Sequence, residues 1–128
     1  MPVAARSKRI VLGFDGTDGS QRALAAATQL MGYGSTMTVV RVRPDGASPD
    51  ETDPLETAHD LLLRELVSAR YLERIGDPAD EIVAVARDIG ADVIVVGRRG
   101  PGARNGAGPG SVSADIVASA ACDVLVVG

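Results

Sequence analysis

Apolar residues along the chain form two alternating patterns, short continuous runs and longer segments with helical spacing. The short runs predict strands at residues 9–15, 37–42, 70–75, 92–97 and 124–127. Between them, apolar residues recur every three or four positions, which predicts helices at about 18–31, 55–66, 78–89 and from near Ser111 onward. The predicted order is therefore strand and helix in strict alternation, with a strand at each end.

Alternation of this kind predicts an α/β fold, in which helices cover both faces of a parallel five-stranded sheet. The first and fourth strands are apolar on both faces, as is typical of central strands. The second and third strands carry polar residues and belong nearer an edge (Thr38, Arg41, Glu73, Arg74). These features predict the strand order 3-2-1-4-5, and we expect residues 1–128 to form a single domain. In such sheets ligands bind where the strand order reverses, here beside Asp15 and Gly97.

Composition and charge remove several classes of function. The formal net charge is −4 and Lys8 is the single lysine, so we expect no general attraction to nucleic acid or to anionic membranes. A phosphate-binding Gly-Lys-Ser/Thr loop is absent, because Lys8 has no glycine beside it. No apolar run approaches the roughly 20 residues that span a bilayer, and no signal peptide is evident. With Cys122 as its single cysteine, the chain is expected to be cytoplasmic.

A glycine-rich segment follows the fourth strand. Gly97, Gly100, Gly110 and Ser111 have the spacing Gly-x2-Gly-x9-Gly-Ser. Gly97 would let a sugar or phosphate approach the backbone, and Gly100 would allow a sharp turn. Gly110 and Ser111 open a helix, whose unpaired backbone N–H groups favour an anion. Three arginines in the same loop add positive charge (Arg98, Arg99, Arg104).

At these residues the chain resembles the universal stress protein family, specifically its ATP-binding branch. The resemblance extends to Val-Leu-Gly-Phe-Asp-Gly-Thr near the start, to Gly-Asp-Pro-Ala-Asp-Glu-Ile from Gly76, and to Cys-Asp-Val-Leu-Val-Val at the end. It thus covers essentially the whole chain. It implies a domain that binds ATP with Mg²⁺ in a regulatory or stress-response role, and a homodimer formed through the last strand. Whether ATP, AMP or a cyclic nucleotide is the natural ligand stays open.

The resemblance also implies roles for individual residues. Gly13, Phe14 and Asp15 would border adenine and ribose, and Val42 would face the base. Gly97 would lie beside the ribose. The phosphate-binding stretch would consist of Gly100, Gly110, Ser111, Val112 and Ser113.

Simpler interpretations exist for some of these features. Asp15 could cap the loop before the first helix, and Cys122 is expected to be a small core residue. His59 lacks partners at metal-ligand spacing, so a zinc site is not expected.

Other functions on a related fold find less support. A phosphoacceptor receiver domain needs a lysine after the fifth strand, and a dinucleotide-binding domain needs Gly-x-Gly-x-x-Gly after the first; neither is present. No residue is nominated as a catalyst, so slow ATP hydrolysis or autophosphorylation is the most that is expected. A structural or signalling dimer that binds no nucleotide remains the alternative.

Overall fold

The computed structural model describes residues 7–44, 46, 53–98 and 112–128. Within this part of the chain five strands alternate with four helices. The strands are β1 (Arg9–Gly13), β2 (Thr36–Arg43), β3 (Arg70–Ile75), β4 (Val93–Gly97) and β5 (Asp123–Val127). The helices are α1 (Asp18–Leu30), α2 (Pro54–Arg64), α3 (Pro78–Ile89) and α4 (Val112–Ser119). None of these helices combines the length and apolar character needed to cross a membrane.

The strands form one parallel sheet in the order β3-β2-β1-β4-β5, which confirms the predicted fold class and strand order. The centre of the sheet is fixed by apolar strands, because Leu12 of β1 lies between Val39 of β2 and Val95 of β4. All three side chains are fully buried. The polar strand β3 is an edge, as its composition predicts.

Each face of the sheet is covered by two helices, as expected of strands that are apolar on both sides. On one face Ile10 and Leu12 pack with Leu24 of α1 and Leu62 of α2. The opposite face contains a second buried cluster that includes residues of α3 and α4 (Val11, Val40, Ile82, Val85, Ile94, Ile116). The core therefore has two layers of aliphatic side chains, separated by the sheet.

Two predicted boundaries were wrong, each for a local reason. The first strand was expected to reach Asp15, but it ends at Gly13, because the Asp15 side chain accepts a hydrogen bond from the Thr17 backbone and turns the chain toward α1. The second helix was expected to include Leu66, but it ends at Arg64. Leu66 has a left-handed backbone with φ 58°, and 90% of its surface is exposed.

The starts of α1, α2 and α3 bring side-chain acceptors to the sheet edge where strands end. Thr17, Asp53 and Asp77 are the N-cap residues of α1, α2 and α3, and their side chains accept hydrogen bonds from backbone N–H groups of the first turn. Because β1 and β4 are parallel neighbours, their last residues, Gly13 and Gly97, lie at the same edge of the sheet. The switch point predicted from sequence therefore exists, with the first turn of α1 beside it.

Candidate functional site

A cleft opens at the carboxyl ends of β1, β2 and β4. It is a concave space that is partly open to solvent. The described residues that line it are Gly13, Phe14, Asp15, Thr17, Ser20, Val40, Val42, Ile82, Val96, Gly97 and Val112. Six secondary-structure elements (β1, α1, β2, α3, β4 and α4) and the loop after β1 thus contribute to the cleft wall.

The structure brings together six of the ten residues that were predicted to bind a ligand. These are Gly13, Phe14, Asp15, Val42, Gly97 and Val112. The predicted Ser113 lies next to the cleft but does not line it, since its side chain is buried and its Oγ donates a hydrogen bond to the Arg98 carbonyl, 3.3 Å away. The other three predicted residues, Gly100, Gly110 and Ser111, lie outside the described residues.

Five further residues line the cleft that sequence reasoning did not nominate: Thr17, Ser20, Val40, Ile82 and Val96. The period of two along β2 places Val40 on the same side as Val42, and could have identified it. Ile82 lies on the buried face of α3. Its place in the cleft depends on how α3 crosses the sheet, which the sequence pattern does not specify.

The deep part of the cleft is apolar. Val40 and Val42 from β2, Ile82 from α3 and Val96 from β4 supply branched aliphatic side chains. Such a surface gains free energy by covering a flat, weakly hydrated group, since each Å² of apolar surface removed from water contributes about 25 cal/mol. An aromatic ring or a nucleobase has this character.

The polar part of the cleft is the loop between β1 and α1. Asp15 Oδ1 accepts two hydrogen bonds from Thr17, one from the backbone N–H at 3.0 Å and one from the Oγ1 hydroxyl at 2.6 Å. Ser20 is buried, and its Oγ donates to the Thr17 carbonyl at 2.9 Å. Asp15 therefore has the capping role considered from sequence, and it also lines the cleft.

Gly97 has a packing reason that the sequence did not predict. A Cβ at this position would lie 2.7 Å from the backbone C and O of Gly19 and 3.1 Å from the Ser20 nitrogen. The absent side chain therefore lets the first turn of α1 pack directly on the end of β4. This close approach places Ser20 in the cleft wall.

Positive potential at the far side of the cleft comes from the start of α4. Val112 is the first residue of α4 and lines the cleft, so the positive end of this helix dipole lies nearby. Arg98 follows β4 directly, and its backbone N–H donates to the Val127 carbonyl at 2.7 Å. In the described residues no group of three or more His, Cys, Asp or Glu side chains is arranged to hold a metal ion.

Comparison with known proteins identifies the same family over nearly the whole chain. The model of the universal stress protein family matches residues 6–128. The universal stress protein Rv1636 of Mycobacterium tuberculosis is 32% identical over 139 residues, which covers 94% of this chain and 95% of that protein.

Two solved structures are similar in fold. A universal stress protein in complex with cAMP has a TM-score of 0.76 and 24% identity, with 94% of this chain and 97% of that chain covered. The universal stress protein from Archaeoglobus fulgidus in complex with dAMP has a TM-score of 0.70 and 23% identity, with coverage of 97% and 99%.

Proposed function

Because the chain belongs to the universal stress protein family, we propose that its cleft binds an adenine nucleotide, ATP with Mg²⁺, in a regulatory or stress-response role. The observation that carries the proposal is the composition of the cleft wall, in which the deep part consists of aliphatic side chains and the adjoining loop carries the Asp15 carboxylate. A nucleoside has the matching parts, a flat base and a sugar with hydrogen-bond donors.

The arrangement of the wall suggests how the nucleotide would lie. The base would cover Val40, Val42 and Ile82, and the sugar would lie toward Asp15 and Gly97. Its phosphates would then extend toward the start of α4, where backbone N–H groups and the helix dipole favour an anion. The two family members cited above, solved with cAMP and dAMP, support adenine as the base.

Mg²⁺ would be held mainly by the phosphates and by water. The described residues offer no acidic cage for it, and Mg²⁺ commonly reaches proteins on a nucleotide with few direct protein ligands. The metal would neutralise phosphate charge, while the chain supplies the walls for base and sugar. AMP or a cyclic nucleotide would need less of this neutralisation.

Calorimetry with a cleft-filling variant tests the proposal. Val42→Trp should reduce affinity for ATP at least tenfold, since the indole would occupy the surface assigned to the base. Ile75→Trp is the matched control, because Ile75 is an exposed residue on β3 that does not line the cleft. Mass spectrometry of nucleotide released from the heat-denatured protein would identify the natural ligand. Equal ATP affinity in both variants would contradict the site, and no affinity in the unmodified protein would favour the dimer without nucleotide.

We also propose that β5 pairs with β5 of a second copy. This strand is an edge of the sheet, and Leu125 and Val126 are 37% and 36% exposed. Edge strands of monomeric proteins usually carry Lys, Pro or a bulge that prevents pairing, whereas β5 has only Asp123 at its start. Two such strands related by a two-fold axis would pair antiparallel.

Light scattering tests the dimer. We expect twice the 13.1 kDa chain mass, and a shift to the single-chain mass for Leu125→Lys. Circular dichroism should show that this variant keeps its secondary structure. A monodisperse monomer of the unmodified protein at high concentration, with ATP present, would rule the dimer out.

A further inference from the structure

Thr17 contacts Asp15 through two donors that reach the same carboxylate oxygen. Its Oγ1 lies 2.6 Å from Asp15 Oδ1, and its backbone nitrogen lies 3.0 Å from that oxygen. The 2.6 Å distance is in the range of a short O–H···O⁻ bond, which is stronger than a bond between neutral groups. Both residues line the cleft.

This pairing leaves the second carboxylate oxygen for the cleft. Asp15 Oδ2 accepts no hydrogen bond from the part of the chain that the structure describes. An ionised carboxylate can accept hydrogen bonds but cannot donate them. With Oδ1 held by Thr17, Oδ2 is therefore an oriented acceptor, and a ligand satisfies it only by presenting an N–H or O–H group.

We propose that Thr17 is a positioning residue, which holds Asp15 so that the carboxylate selects nucleosides with a hydrogen-bond donor at this point. This inference rests on the proposed nucleotide binding and adds a specificity determinant to it. The donor is either the exocyclic amine of the base or a ribose hydroxyl, since the loop between β1 and α1 adjoins both the apolar part of the cleft and the end of β4. A ligand with a carbonyl, or with no polar group, at that point leaves the carboxylate unpaired and binds less tightly.

Thr17 also has a structural role that the experiment must separate. It is the N-cap of α1, and its Oγ1 accepts a hydrogen bond from the Ser20 backbone N–H at 3.3 Å. Losing the hydroxyl would therefore weaken both the helix start and the orientation of Asp15. The two effects differ in their requirements, because the cap needs an acceptor and Asp15 needs a donor.

Four variants separate the helix-capping role of Thr17 from its role in positioning Asp15. Thr17→Val removes both acceptor and donor, and Thr17→Ser keeps both. Thr17→Asp keeps a favoured cap acceptor but removes the donor and places a second carboxylate beside Asp15. Asp53→Ala removes a cap of the same kind from α2, whose residues do not line the cleft.

The expected pattern is measured by calorimetry with ATP and by thermal unfolding. We expect Thr17→Val and Thr17→Asp to lower ATP affinity about tenfold or more, as for the loss of a charge-assisted hydrogen bond. Thr17→Ser and Asp53→Ala should stay within about twofold of the unmodified protein, a difference of roughly 0.4 kcal/mol at most. The melting temperature should fall for Thr17→Val and Asp53→Ala but not for Thr17→Ser.

Two ligand analogues identify the donor. Inosine triphosphate replaces the exocyclic amine with a carbonyl, and 2′,3′-dideoxy-ATP lacks both ribose hydroxyls. The analogue that lacks the selected donor should bind the unmodified protein about tenfold more weakly than ATP. The same analogue should lose little further affinity when Thr17 is replaced by Val, because the interaction that Thr17 supports is already absent.

The outcomes distinguish this inference from the proposed function. If the unmodified protein binds ATP and both Thr17→Val and Thr17→Asp bind it equally well, the positioning role is wrong while nucleotide binding stands. The same conclusion follows if both analogues bind as tightly as ATP, or if Asp53→Ala loses as much affinity as Thr17→Val. If the unmodified protein binds no adenine nucleotide, the proposed function and this inference fail together.

Discussion

Among the glycines that the structure describes, Gly97 is the one whose added methyl group would lie closest to backbone atoms. Its Cβ would lie 2.7 Å from two backbone atoms of Gly19, whereas non-bonded heavy atoms normally pack at about 3.5–4.0 Å. Backbone atoms cannot rotate away as side chains do, so Gly97→Ala would push the first turn of α1 away from β4 by about 1 Å. That turn contains Ser20, and the same helix buries Ala23, Leu24 and Ala27 against the sheet.

The magnitude follows from two opposing terms. Overpacking of a well-packed site costs about 1–3 kcal/mol, and strain against backbone belongs at the upper end. Replacing glycine by alanine also restricts the unfolded chain and stabilises the folded state by about 0.4–1 kcal/mol. We therefore expect Gly97→Ala to lower the free energy of unfolding by about 2 kcal/mol, which corresponds to roughly 6–10 °C in Tm for a domain of this size.

Gly13→Ala is the matched control at the end of the neighbouring strand. Its Cβ would lie 2.9 Å from Ile82 Cδ1 and 3.0 Å from Val96 Cγ1. Both atoms are the ends of side chains that border the open cleft and can move into it. We expect a loss below about 1 kcal/mol, because side-chain ends adjust more cheaply than backbone. Urea unfolding followed by circular dichroism measures both variants. A Gly97→Ala protein as stable as the unmodified one, or more stable than Gly13→Ala, would refute the packing argument.

Three further expectations concern residues outside the cleft. Leu66→Gly should stabilise the fold by about 0.5–1 kcal/mol in urea unfolding, since Leu66 has φ 58° and is 90% exposed. Gly90 has φ 68° in the corresponding position after α3. An unchanged or lower stability of the variant would contradict this expectation. Glu73→Ala should lower the free energy of unfolding by about 1 kcal/mol, because the Glu73 carboxylate accepts a hydrogen bond from the buried Arg41 at 2.9 Å and lies 3.7 Å from Arg43. An unchanged free energy of unfolding would show that this ion pair contributes nothing. Burial, followed by the charge of Asp123, raises the pKa of the Cys122 thiol, so less thiolate is present near pH 8. Alkylation of Cys122 should therefore be several-fold slower in the folded protein than in urea, and Asp123→Asn should accelerate it. Equal alkylation rates in the folded and the urea-unfolded protein would contradict the burial.

Sequence periodicity identified the sheet, because strands that are apolar on both faces can lie only at the centre of a parallel sheet. It also identified the carboxyl ends of β1 and β4, since the strand order alone determines where the switch point lies. What it missed, the residue Ile82 and the packing reason for Gly97, depends on three-dimensional structure. Ile82 reaches the cleft through the position of α3, and Gly97 is required by an approach of α1 that no pattern along the chain records.

Local hydrogen bonding also escaped the sequence pattern. Asp15 was considered as either a cap or a ligand group, and the structure shows that one carboxylate oxygen has the first role while the residue lines the cleft. Leu66 continued the helical spacing of α2 but lies beyond its end. Its left-handed backbone follows from a chain reversal after Arg64, in which the Val67 N–H donates to the Leu62 carbonyl at 2.9 Å.

Chemical-shift mapping during an ATP titration reports both whether the nucleotide binds and where it binds. Backbone amide signals of Gly13, Asp15, Val42 and Gly97 should shift with a common saturation curve. Residues of a second cavity at the far ends of α3 and α4, Arg87, Gly90 and Cys122, serve as internal controls and should stay unchanged. No shifts with ATP at millimolar concentration, or shifts confined to that second cavity, would contradict nucleotide binding in the cleft.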